Sequence, residues 1–379
     1  MGEFRKIELI THMKVFGSLI LGILFLGCVD KFDFNVVQES GGLVIESFIT
    51  DISYLESLAI PSDGYYFKVT LSETSDVDNI RNIKVPEAKV YLLDDQGNKW
   101  DYTETGDVVG DYYLLSDSFK AEKGKAYQLN VELKEGQHFE SDWEIMPKAV
   151  NEMGEFNLEE VNTQEYIYEA GEPVVKDVEG MKLYLNVPIN EEIGQINYRW
   201  SFVPLWMYTA KLASVVNSQK IICWVRSNLY QKDYVLQNSN KGGFNQELFY
   251  LRTKGNERVF QYFSTLINQD IVSEGYNTFW KDLDAQKDKG GLFDQAPFGL
   301  RTNFISTNSG WTVNGYFGVI DRNTQRWTFN PESLSYVIEN TIENNCLLLD
   351  NEPGAKEGQC YYCDEYNQGN ATTRSPSWW

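Results

Sequence analysis

Four kinds of side chain in the 379-residue chain could carry chemistry: two histidines, five cysteines, a large set of carboxylates and many aromatic rings. His12 precedes an apolar leader, so His138 is the only histidine left for a folded body. Serine and cysteine hydrolase triads need a histidine to move the proton, and histidine-based zinc centres need several. A lone histidine in an expected strand beside a turn reads as a solvated side chain. Gly-x-Ser-x-Gly, Ser-x-x-Lys, Gly-x-x-x-x-Gly-Lys and His-Glu-x-x-His are all absent. A carboxylate pair of the glycosidase type needs no histidine, but among 55 Asp and Glu no pair stands out. A carboxylate-dependent glycoside hydrolase is therefore the weakest of three readings. Asp282, Asp284 and Asp288 imitate a calcium loop, yet Lys287 stands where that loop needs glycine. No metal, no cofactor and no catalytic residue is expected.

The cysteines divide into one and four. Val15 to Leu26 is apolar and uncharged, follows Lys14, and ends at Gly27-Cys28. A basic flank, a short apolar run and a small residue before the cut form a secretory signal, and the run is too short for the about 20 residues of a membrane span. Cys28 after Phe25-Leu26-Gly27 has the form of a lipobox, which makes residues 1–27 a removed leader and Cys28 the lipidation site. Either Met1 or Met13 can be the start. Residues 28–41 then form a tether; its Asp30 and Asp33, close to Cys28, resemble the surface-export signals of Bacteroidota lipoproteins, a resemblance that implies the cell surface over the periplasmic face of the outer membrane. In an exported chain Cys223, Cys346, Cys360 and Cys363 read as two disulfides with three pairings open, in preference to a four-cysteine zinc site.

The balance of 55 acidic against 33 basic residues, a net charge of −22, argues against nucleic acid, whose phosphates reward clustered Lys and Arg. Aromatics are abundant, with 10 Trp, 23 Tyr and 21 Phe. Trp200, Trp206, Trp224, Trp311 and Trp327 are candidate binding aromatics for a glycan or peptide. Burial in a β core is the competing reading for all five. The closing pair Trp378-Trp379 is expected to dock on the body.

These residues must sit on a mainly β scaffold. Over 42–147, short alternating runs separated by Gly and Asp turns predict seven strands of an immunoglobulin-like β-sandwich. Residues 151–177 are acidic and without regular pattern. The larger β-rich domain spans 148–379, with strands near Leu183 to Val187, Tyr198 to Phe202, Ile221 to Val225, Asn314 to Ile320 and Arg326 to Phe329. Tyr276, Phe279, Trp280 and Leu283 recur at i, i+3, i+4 and i+7, which predicts an amphipathic helix near 273–289 stopped by Gly290-Gly291. A cysteine-containing tail closes the chain.

In order along the chain stand Cys28, the strand and turn from Leu43 to Asp51, and Ala88 to Asn98 with its Asp-Asp-Gln-Gly-Asn turn. Then come Gly124-Lys125-Ala126-Tyr127-Gln128-Leu129, Cys223-Trp224, and Tyr276-Asn277-Thr278-Phe279-Trp280 leading to Gly291-Leu292-Phe293-Asp294. With Cys360-x-x-Cys363 and the final Pro376-Ser377-Trp378-Trp379, this order resembles a family of Bacteroidota outer-membrane lipoproteins known as a domain of unknown function. The resemblance implies an outer-membrane location and partnership with a TonB-dependent transporter, and it carries over no catalytic residue. The expectation is a non-enzymatic accessory or ligand-binding subunit of such a transporter. A glycan-binding or adhesion lipoprotein is the alternative.

Overall fold

Alternating apolar and polar residues broken by tight turns do build strands through the first hundred described positions. The computed structural model describes residues 42–73, 83–105, 108–169, 171–190, 194–228, 233–287, 300–349 and 358–379. The leader, Cys28, the tether, Asp288 and Gly290-Gly291 lie outside the described residues. In chain order the first half holds β1 (Gly42–Thr50), helix α1 (Tyr54–Ala59), β2 (Phe67–Glu73), β3 (Lys89–Asp94), β4 (Lys99–Asp101), β5 (Thr103–Glu104), β6 (Asp111–Leu114), β7 (Ala126–Glu132), β8 (His138–Ser141) and β9 (Glu144–Ile145). Then follow β10 (Phe156–Glu169), β11 (Glu172–Ile189), β12 (Ile196–Thr209), β13 (Ile222–Arg226), β14 (Tyr234–Ser239), β15 (Gly242–Arg252) and β16 (Phe263–Val272). Helix α2 (Glu274–Lys287), β17 (Phe304–Ser306), β18 (Thr312–Phe329), helix α3 (Thr341–Leu349) and β19 (Asn370–Thr372) complete the chain.

The protein is mainly β. The N-terminal sandwich sets β1, β2, β6 and β5 against a second sheet ordered β17-β8-β7-β3-β4. Leu43, Ile45, Val69 and Leu71 meet Leu92, Leu129, Val131 and Phe139 in one apolar core. A second core joins Trp200, Phe202 and Trp206 of β12 to Met181, Leu183 and Leu185 of β11 and Phe263 and Ile267 of β16. The expected division at residue 147 falls between β9 and β10, but the sheets do not respect it. One sheet runs β19-β13-β12-β16-β18-β1-β2-β6-β5 through both cores.

The crossing point is β18. Its first half, Thr312 to Ile320, pairs parallel with β1, and its second half, Asp321 to Phe329, pairs antiparallel with β16. Phe317 and Val319 fill the first core, and Phe329 fills the second. β17 also joins the sandwich by pairing with β8. Asn314 to Ile320 and Arg326 to Phe329, expected as two strands, are thus one. At Gly315 the chain takes φ +104°, and a Cβ there would stand 2.0 Å from the Ile45 carbonyl oxygen of the paired strand. On the opposite face Tyr276 of α2 lies where a Cβ at Gly318 would come within 2.9 Å of its ring.

The acidic stretch expected to lack regular structure is a correction. It forms β10 and the start of β11, a long hairpin paired from Phe156↔Leu185 to Glu169↔Glu172. Its distal half leaves the body, so Tyr166 and Tyr168 are 80 % and 78 % exposed. With both faces in solvent there is no apolar–polar contrast for a period of two to display.

Between the two cores lies a buried ion cluster. Asp270 of β16 is fully buried and accepts from Arg322 Nε at 2.7 Å and Nη2 at 2.9 Å. It also accepts from Arg199 Nη1 at 3.1 Å. Arg199 lies 4.2 Å over the Trp280 ring of α2, and Arg322 lies 4.9 Å over Phe48 of β1. The connection after β9 is held here too, because Asn151 Nδ2 donates to the carbonyls of Gln269 and Asp321. Asp51 Oδ1 accepts the Arg322 N–H at 2.9 Å. Burial pushes the Asp51 carboxyl up to about 6 against that hydrogen bond, and neighbouring Asp321 adds to the rise.

Two predictions follow from the shared strand and its ion cluster. Gly315→Ala should cost at least about 2 kcal/mol, by strain at positive φ and collision with β1. Gly310→Ala, where a Cβ meets nothing, should stay within about 0.5 kcal/mol. Equal denaturation midpoints for the two variants would refute the argument. For Asp51 the folded pKa exceeds the ordinary 3.8, so the folded state binds more protons and stability falls as pH rises from about 4 to 6. After allowance for its partial solvent contact, Asp51→Asn should stabilise by about 1 kcal/mol at pH 7 and by nothing at pH 4 or below. A gain of the same size at both pH values would count against it.

Candidate functional site

The side chains singled out as chemical candidates fall mainly into structural positions. His138 sits at the start of β8, where Nδ1 lies 2.8 Å from Thr307 Oγ1 and its N–H donates to Asn308 Oδ1. It ties the hairpin to the turn that follows β17. Cys223 pairs with Cys363 and Cys346 with Cys360, which settles the three open pairings. Among the described residues no group of three or more His, Cys, Asp or Glu could hold a metal. Asp284 of α2 accepts from Tyr234 Oη at 3.1 Å.

The candidate binding tryptophans need correction. Trp200 and Trp206 are fully buried. Trp200 Nε1 donates to Gln269 Oε1 at 3.0 Å, and Arg258 covers the Trp206 ring at 4.2 Å. Trp327 packs among Phe249, Phe263 and Phe329. Trp311 is partly buried against the sandwich core. Trp200 and Trp206 offer no ring face for stacking, and Trp311 and Trp327 are half-buried against the first and second cores. Trp224, also buried, is the one that borders open space.

The buried acids are likewise engaged. Glu144 accepts from Tyr316 Oη at 2.6 Å and Asn303 Nδ2 at 3.3 Å. Burial raises its pKa against these hydrogen bonds. A cleft of about 390 Å³ lined by Met146, Pro147, Asn197, Ser273 and Glu274 lies beside it, but Glu144 is not in the cleft wall. Asp321 is 2.6 Å from Lys123 Nζ.

The site that combines space, aromatic surface and unneutralised charge is built by the C-terminal tail. Cys363 holds the tail to Cys223 of β13, and β19 then adds to β13 through Trp224↔Thr372 and Arg226↔Asn370. The chain turns at Arg374 to Ser377 and lays its last two residues on the body, as expected for the Trp pair. Trp379 packs 4.4 Å from Trp224 and 4.5 Å from Tyr262, ring to ring, while remaining 60 % exposed. Trp378 lies 3.8 Å under the Arg326 guanidinium.

A groove of about 600 Å³ opens beside this tail, lined by Asp63, Leu205, Trp224, Arg226, Arg374 and the segment around Asn370 to Ser377. Asp63, on the loop after α1, pairs with Arg226. The same loop supplies the Pro61 carbonyl that accepts from Arg326 Nε at 2.6 Å, and Arg326 Nη1 donates to Ser264 Oγ. Burial disfavours the Arg326 charge, with Tyr262 opposing that effect and Arg226 adding to it. Neither Arg326 nor Arg374 makes an ion pair with a described carboxylate. Three arginines thus converge around one aspartate. Sequence reasoning missed Arg226, Arg326, Arg374 and Tyr262, since β13, β18, the tail and the residue before β16 come together only through the sheet pairing and the docked tail.

A mainly β, two-core scaffold with a disulfide-held tail bordering a cationic, aromatic groove is the class this geometry defines. The chain belongs to DUF4249, a domain of unknown function, which it matches over residues 29–326. No curated protein shows significant similarity to it. The matched stretch ends within β18, so Arg374, Trp378 and Trp379 lie beyond it.

The two disulfides close loops of very different size, with sequence separations of 140 and 14. Chain entropy then predicts that Cys223→Ser with Cys363→Ser costs about 2 kcal/mol more than Cys346→Ser with Cys360→Ser. The first double variant should also red-shift tryptophan emission before global unfolding, as Trp378 and Trp379 leave the body. Unchanged emission in that variant would show that the tail docks without its disulfide.

Proposed function

We propose that the protein is a non-enzymatic, lipid-anchored outer-membrane lipoprotein of a Bacteroidota bacterium, acting as an accessory or ligand-binding subunit of a TonB-dependent transporter. Membership of DUF4249 and the lipobox ending at Cys28 support the location and the partnership. The observation that carries a binding rather than a catalytic role is the tail-built groove, where aromatic rings and arginines border open space of the size that small ligands use. In contrast, the buried acids Asp270, Asp321 and Glu144 are held by structural partners, which leaves them unsuited to exchange protons with a substrate. No helix among the described residues is long and apolar enough to cross a membrane, so Cys28 would be the anchor.

A glycan-binding or adhesion role is the second reading, favoured by the exposed Trp379 ring beside Tyr262. Affinity purification of the tagged protein from its own outer membrane in mild detergent should recover a TonB-dependent barrel. Cys28→Ser should move the protein from the membrane to the soluble fraction. Repeated purification without a barrel would reject the transporter role, and a membrane-bound Cys28→Ser protein would reject the anchor.

A further inference from the structure

We infer that the tail-built groove binds a carboxylated saccharide, such as a uronic-acid glycan, with Arg374 and Arg226 receiving the carboxylate and Trp379 carrying a sugar ring. The inference rests on the ligand-binding reading above and adds the ligand class. In a chain with net charge −22, the average surface repels anions, so a groove lined by two arginines and one carboxylate, with Arg326 close behind Arg226, inverts the local field. Asp63 neutralises Arg226 in part, and Arg326 stands behind the tail without a described carboxylate partner. An anion entering the groove would supply the missing countercharge, and guanidinium geometry suits a carboxylate held by two parallel hydrogen bonds.

The remaining walls specify more than an anion. Trp224, Tyr262 and Trp379 form a continuous aromatic cluster whose outer member is largely exposed. A sugar presents an apolar ring face to such a surface. The tail contributes the hydroxyls of Thr372, Ser375 and Ser377 and the Asn370 amide to the same groove. These are donors and acceptors of the kind that sugar hydroxyls require. A bare anion would leave the aromatic surface and the hydroxyl wall unused, and a neutral glycan would leave the arginines unanswered.

Titration of the purified protein with tri-galacturonate, followed by tryptophan emission and calorimetry, tests the assignment. Saturable binding should weaken as salt rises, fall at least tenfold in Arg374→Ala, and fall comparably in Trp379→Ala. Maltotriose of equal length should bind at least tenfold more weakly. Arg374 is exposed and unpaired, so its variant should keep the wild-type circular dichroism spectrum. Equal affinity for maltotriose, unchanged affinity in Arg374→Ala, or no response to tri-galacturonate would overturn the inference. A response to inorganic phosphate as strong as to tri-galacturonate would make this a plain anion site and overturn it too. Recovery of a barrel without uronate binding would discard the ligand class alone, whereas loss of both would discard the functional reading beneath it.

Discussion

Asp270 is the fixed point on which the two halves of the protein depend. It lies in β16, a strand buried along its whole length, and it takes hydrogen bonds from Arg322 on one neighbouring strand and Arg199 on the other. Removing three charges from water is costly, and the cost is offset only when all three meet in this geometry. A one-residue slip of β16 would turn Asp270 to the opposite face and leave two arginines unpaired. The cluster therefore selects one register for β12, β16 and β18 together. Arg199 extends that selection to α2 through Trp280, and Arg322 extends it to β1 through Phe48 and Asp51. An apolar core of similar volume would hold the strands with comparable strength but would tolerate more than one alignment.

The register matters because β18 serves two cores. Its parallel pairing with β1 joins residues some 270 positions apart. Such contacts form only after a long loop has closed. The N-terminal sandwich is then incomplete until the far end of the chain arrives, since Phe304, Phe317 and Val319 are part of its interior. Cooperative coupling between the cores is a consequence: neither can lose β18 without exposing apolar surface in the other.

Much of this was legible in the residues and some was not, for identifiable reasons. The sandwich strands carry alternating apolar side chains with one face in solvent, so β1, β2, β3 and β7 were readable from period alone. Helix α2 was readable because Tyr276, Phe279 and Trp280 lie on one stripe. β16 was not, because Ser264, Thr265, Asn268, Gln269 and Asp270 make it look like a loop while partners elsewhere in the fold satisfy them. The hairpin of β10 and β11 was hidden by its polarity on both faces. Cysteine count and context were enough for two disulfides, but pairing needed the fold. The tryptophans drew attention as binding candidates by residue type, whereas burial reserved most of them for the second core.

The groove was the least legible feature, and its construction explains why. Its lining arginines come from β13 and the tail, Arg326 of β18 stands behind them, and its aspartate comes from a loop of the sandwich. No local window contains two of these elements. The Cys223–Cys363 bond converts that dispersion into a site by fixing β19 against β13, which places Arg374 opposite Arg226 across the same space. Stacking of half-buried Trp378 on Arg326 then holds the chain end, and the Trp379 ring stays exposed against Trp224 of the groove wall. A catalytic centre would require titratable groups with freedom to exchange protons, whereas Asp51, Glu144 and Asp321, whose pKa values burial raises, are each held by hydrogen bonds or an ion pair. The tail groove has the opposite character: fixed charge that does not titrate near neutral pH, rigid rings and short hydroxyl side chains. Such a set suits the ligand-holding role proposed above.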